Sequence, residues 1–122
     1  MDPALLALAG RILVGVIFVV VGVRLLMARS AVASLLATKK VPQPAFVALA
    51  GGSIEIVLGA LAVTGIATRL VALAMIVFVV AATVMVHDFW NIQGSRRALE
   101  VNTVLTHGLV VAGLLIMAAY PW

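Results

Sequence analysis

Leu70-Val71-Ala72-Leu73-Ala74-Met75-Ile76-Val77-Phe78-Val79-Val80-Ala81-Ala82-Thr83-Val84-Met85-Val86 contains no ionisable side chain. Its apolar residues fall on every side of a helix rather than along one stripe, which is the pattern of a helix buried in a large core or in lipid. Arg69 precedes the run and His87-Asp88 follows it, so its length is bounded close to the roughly 20 residues needed to cross about 30 Å of hydrocarbon. This stretch reads as a membrane span.

Three more runs of the same kind lie around it. The spans are expected at about 5–27, 45–66, 70–86 and 101–119. Composition agrees. The chain has 122 residues, of which 66% are hydrophobic and 10% charged, against roughly 45–50% and about 25% in soluble domains. Four spans leave only loops and short tails, with no room for a soluble catalytic domain. A transmembrane barrel is not expected, because barrel strands alternate apolar and polar residues, whereas these runs are apolar on every side. The predicted fold is all-α, a single membrane domain over residues 1–122 built as a four-helix bundle. A short interfacial helix around Ala31–Leu36 is expected between the first and second spans, before Val41-Pro42-Gln43-Pro44 forces extended backbone.

Met1-Asp2-Pro3 carries no Lys or Arg, unlike the positive leading region of a secretory signal, so the first span is expected to be a permanent anchor. The absence of cysteine excludes disulfides, thiol catalysis and cysteine-ligated clusters. The net charge of +4 does not imply nucleic acid, because the basic residues sit beside the spans, where anionic head groups lie. Arg24, Arg29, Lys39, Lys40, Arg96 and Arg97 flank the first and third loops, and Arg11 and Arg69 lie toward the opposite side. The positive-inside rule then puts the first and third loops in the cytoplasm and both termini outside, and a bacterial inner membrane is the expected location.

Polar residues within the spans are the candidate site, since charge near the centre of a span costs at least about 2.5–3.5 kcal/mol on insertion scales. Glu55 is the deepest. Gly51, Glu55 and Gly59 are four residues apart and share a helix face, and small residues at that spacing admit a neighbouring helix. Arg11 shares a face with Gly15 and Gly22. If the first two spans are antiparallel neighbours, Arg11 lies within two turns of Glu55, and an Arg11–Glu55 pair is expected. It would be either an internal latch or a proton-handling or ligand-binding carboxylate with its counter-ion. His107 is expected to hydrogen-bond inside the bundle and His87 to sit in the interface. His107 is placed about 9 Å deeper by helical rise, a poor match for a haem. No third ligand supports a metal site. Trp90, Tyr120 and Trp122 fit aromatic belts. His87-Asp88-Phe89-Trp90 reads either as a helix end, with Asp88 near Arg96 or Arg97, or as a rim for an amphiphile such as a quinone.

The chain resembles the DoxX family of small four-helix membrane proteins. The matching pieces are Gly10-Arg11, Gly22 with Arg24, Lys40-Val41-Pro42-Gln43-Pro44, Ile54-Glu55-Ile56-Val57-Leu58-Gly59, Thr68-Arg69-Leu70 and His87-Asp88-Phe89-Trp90. Arg24 stands where the family pattern has Lys, and Thr106-His107-Gly108 where it has Lys-Asn. The resemblance implies association with membrane redox systems, among them a subunit of a thiosulfate:quinone oxidoreductase and a membrane partner of oxidative-stress proteins.

The leading expectation is therefore a non-catalytic accessory or scaffold subunit of a larger, redox-linked membrane complex. No cofactor is predicted, and a bound quinone or lipid is left open. The first alternative is a quinone- or lipid-binding subunit using Glu55 and Arg11, with His107, His87 and Trp90 as further candidates. Such a site should show an apolar cleft open to lipid and ending on a polar group. A sealed Arg11–Glu55 contact would favour the scaffold. The second alternative is a small transporter built by oligomerisation, and a homo-oligomer is left open in any case. The lipid bilayer and other membrane subunits are the expected partners.

Overall fold

A computed structural model describes residues 1–122 as an all-helical chain. In chain order the helices are α1 (Pro3–Met27), α2 (Arg29–Thr38), α3 (Pro44–Thr64), α4 (Thr68–Val86) and α5 (Ser95–Ala119), with a 3-10 turn at Phe89–Asn91 before α5. Helices α1, α3, α4 and α5 are long and apolar enough to cross a membrane, and α2 is the short helix expected between the first two.

Local chemistry sets the ends. Asp2 Oδ1 accepts a hydrogen bond from the Ala4 N–H at 2.9 Å, and Pro3 occupies the first turn of α1, where its missing N–H is not needed. Pro44 likewise occupies the first turn of α3, but Gln43 before it is left-handed at φ +49° rather than extended as expected, and no side chain caps this helix. Helix α3 ends at Gly65, whose φ of +81° is the left-handed conformation that closes helices and suits glycine. Helix α5 begins at Ser95, earlier than the expected residue 101. Arg96 and Arg97 do not interrupt it, because a helix continues freely once it leaves hydrocarbon for the head-group region.

Helix α1 packs along α3 and α4 along α5, and the two pairs meet where α3 touches α4. The α3 face against α1 is Ala48, Gly52, Glu55, Gly59 and Ala62, all buried. Gly51, expected on that face, is not part of it, and a Cβ added there would meet nothing within 4 Å. The contact stripe steps alternately four and three residues, as antiparallel packing requires, so Gly52 takes the place that a uniform spacing of four assigned to Gly51. The apolar core gathers Phe18, Ala62, Val71, Ala72, Met75, Leu114, Met117 and Ala118. Only 16 of 122 residues are buried, so nearly all the apolar surface of four long helices faces outward. Lipid solvates such a surface and water does not.

Candidate functional site

The register of α1 on α3 decides the fate of the expected ion pair. A Cβ at Gly15 would lie 2.6 Å from the Gly59 carbonyl oxygen, and one at Gly22 would lie 2.8 Å from that of Gly52. These backbone contacts lock the two helices, and they set Arg11 against Gly65, where a Cβ would lie 2.7 Å from Arg11 Nη1. From Gly65 to Glu55 is ten residues, about 15 Å along the helix. The Arg11–Glu55 pair therefore does not form. Glu55 is buried at 8% exposure and has no ionic partner, since the two ion pairs are Lys39–Asp88 and His87–Glu100. The sequence estimate aligned the span ends, whereas glycine contacts set the actual register.

Asp88 pairs with Lys39, not with Arg96 or Arg97. Helix α2 folds back so that its last residues reach the α4–α5 connection, while the Arg97 guanidinium instead lies 5.8 Å above the Phe89 ring. Trp90 stands beside Phe89, edge to face at 5.3 Å, and is 56% exposed, as an interfacial aromatic should be.

The polar groups that do converge lie between α4 and α5. His87 Nδ1 is 2.7 Å from Glu100 Oε2. The His87 and His107 rings meet edge to face with centroids 5.2 Å apart, and His107 Nδ1 is 2.8 Å from Thr83 Oγ1. Thr83 and His87 are four apart on α4, and Glu100 and His107 are two turns apart on α5, so each pair shares a face. The expected depth difference between the histidines is corrected. The connection carries the chain past the end of α4, α5 starts farther out, and it runs back alongside His87. Rings in direct contact leave no slot for a planar macrocycle between them.

Hydrogen-bond bookkeeping assigns a tautomer. Thr83 has one hydroxyl proton, and it goes to the Val79 carbonyl at 2.6 Å. Thr83 Oγ1 must then accept from His107 Nδ1–H, which leaves Nε2 of a neutral His107 as an acceptor. Beside this group lies a cleft of about 300 Å³, lined by Val79, Val80, Thr83, Val84, Val104, His107, Gly108 and Val111. Val80 and Val84 are about half exposed, so the cleft opens on the lipid-facing surface. Another furrow, of about 280 Å³, runs beside Leu25, Val32, Phe46, Phe78 and Met85 and carries no ionisable group to orient a head group.

Sequence reasoning named His87 and His107 but missed Thr83, Glu100 and Lys39. A signal existed for Thr83, the one polar side chain in the 70–86 run. Glu100 and Lys39 gave none, because charged residues beside a span usually face water.

Comparison with known proteins adds a family. The DoxX family model matches residues 6–88, which takes in α1 to α4 and stops short of α5. No curated protein matches the chain, and no solved structure does.

Proposed function

The chain belongs to the DoxX family, and on that premise we propose that it is a membrane subunit that holds a quinone-type amphiphile against His107. It serves a larger, redox-linked complex and has no catalytic activity of its own. The observation that carries this reading is the α4–α5 cleft, whose valine walls face lipid and which ends on the hydrogen-bonded His107–Thr83 pair. A head group that is apolar except for a few hydrogen-bonding atoms suits a cleft with one fixed polar contact. The free Nε2 of His107 accepts from a hydroquinone hydroxyl, and the His87–Glu100 pair lies beside it. The site thus moves from the α1–α3 interface, where Arg11 and Glu55 are far apart, to α4 and α5.

A pure scaffold is the second reading. The Lys39–Asp88 contact favours it, because it ties α2 to the α4–α5 connection and stiffens that end as a docking platform. The basic residues collected there support a cytoplasmic location for it, with both termini on the other side of a bacterial inner membrane.

Purification from native membranes in mild detergent tests both readings, with mass spectrometry of the co-purifying proteins and of the organic extract. A quinone recovered with wild type and lost in His107→Ala, while partner subunits remain bound, is the expected result. A partner complex without any quinone turns the assignment to the scaffold. Recovery of the protein alone, across several detergents, overturns both.

A further inference from the structure

The α4–α5 cleft offers hydrogen-bond acceptors and no donor. Among the side chains that line it, only those of Thr83 and His107 carry polar atoms. The Thr83 hydroxyl proton is committed to the Val79 carbonyl at 2.6 Å, so toward anything in the cleft Thr83 has only an oxygen lone pair left. The His107 Nδ1 proton is committed to Thr83 Oγ1 at 2.8 Å, which leaves a bare lone pair on Nε2 of the neutral ring. No carboxylate stands ready to hold a second proton on that ring. Glu100 is taken up by His87 Nδ1 at 2.7 Å, and the other ion pair is Lys39–Asp88. The backbone N–H groups that flank the cleft lie inside α4 and α5 and are spent on the helices themselves.

The acceptor is also within reach. His107 Nε2 has no hydrogen-bond partner, and it is not buried, since Arg11 Nε is the one buried side-chain nitrogen or oxygen left without a partner. The two oxidation states of a quinone differ in what they can offer such a group. The quinone carries carbonyl oxygens, which only accept. The hydroquinone carries hydroxyls, which donate. The rings are close in size, so walls such as Val80, Val84 and Val104 hold either one. A quinone carbonyl set against Nε2 brings two lone pairs together and leaves both unpaired.

We propose that the cleft selects the hydroquinone over the quinone, and that Thr83 sets this choice by fixing the proton on His107 Nδ1. This rests on the quinone-type occupant proposed above and adds its oxidation state. Thr83 acts through His107 and is a positioning residue. Which ring nitrogen carries the proton is set by the hydrogen bond that the other makes. Without the Thr83 oxygen, Nδ1 loses its acceptor and the proton moves to Nε2. The ring then presents a donor, and the preference turns toward the quinone carbonyl.

The test is isothermal titration calorimetry of the purified protein in detergent micelles under argon. The probes are a decyl-benzoquinone, its hydroquinone, and the dimethyl ether of that hydroquinone, which keeps the ring and loses both donors. His107→Ala supplies the background of partition into the micelle. Above that background, wild type should bind the hydroquinone at least about tenfold more tightly than the quinone, the scale of one buried hydrogen-bonding group left unpaired. The ether should bind no better than the quinone. Thr83→Ser keeps the hydroxyl and should keep the preference, whereas Thr83→Val should lose at least about tenfold of it. Should Thr83→Val not fold, Thr83→Ala asks the same question, and the ether comparison needs wild type alone. Hydroquinone and quinone bound equally, both above background, leave the quinone-type occupant in place and overturn the selectivity. An ether that binds as tightly as the hydroquinone also overturns it. Full preference in Thr83→Val and Thr83→Ala overturns the role of Thr83. No probe bound above background overturns the quinone-type occupant itself, and this inference with it.

Discussion

Gly59→Ala should loosen the α1–α3 pair. The added Cβ would lie 2.6 Å from the Gly15 carbonyl oxygen and 2.8 Å from the Val19 nitrogen, where ordinary contact begins near 3.4 Å. Both neighbours are backbone atoms and cannot rotate away, so the helices must part by about 0.8 Å at that level. A gap of about 0.5–1 Å forfeits a quarter to a half of each contact it opens. Lipid supplies no hydrophobic force to restore the pair, because helices in a bilayer associate through close packing. Overpacking of this kind costs about 1–3 kcal/mol, about 5–150-fold in the folding equilibrium. SDS titration in mixed micelles, followed by Trp90 and Trp122 fluorescence, measures it. Gly51→Ala is the paired control. Its Cβ meets open space, and alanine gains up to about 1 kcal/mol of helix propensity over glycine, so that variant should be neutral or more stable. Equal loss in both variants, or no loss in Gly59→Ala, would refute the register.

Thr83→Val keeps the shape of the side chain and removes the oxygen that accepts from His107 Nδ1, so it should destabilise by about 1–3 kcal/mol, the cost of an unsatisfied buried donor. The same titration reads it, and an unchanged midpoint refutes the assigned bond. Lys39→Ala removes the ionic partner of Asp88 but should cost at most about 1 kcal/mol, since both side chains keep some solvent access; protease nicking of the α2–α3 connection should rise all the same, and unaltered nicking shows that the Lys39–Asp88 pair does not hold α2 in place. Reporters fused at either terminus should read non-cytoplasmic, and a cytoplasmic signal at either end reverses the orientation.

Much of the architecture is legible in the sequence. The four apolar runs and the polar break at Arg29–Pro44 each carry their own evidence, because crossing hydrocarbon is a property of a continuous segment. The candidate site was legible only in part. His107 and His87 stood out as polar groups in or beside spans, but their contact depends on where α5 starts, and that rests on a turn at Phe89–Asn91 with no strong local signature. Glu55 and Arg11 stood out for the same reason, and their proximity was inferred from aligned span ends. A shift of a few residues between two helices leaves both sequences equally apolar, so hydropathy could not detect the error.

Sequence alone thus determined that the chain carries four runs fit to lie in lipid, since each is set by residues near one another along the chain, whereas the choice of Gly52 over Gly51 on the α3 packing face waited on the structure. Tertiary structure decided which polar groups meet. Backbone contacts at Gly15–Gly59 and Gly22–Gly52 separated Arg11 from Glu55, and the overhang of α5 brought Glu100 and His107 to His87. Those pairings follow from the register between helices, and register is settled by close packing of atoms that the linear order does not bring together.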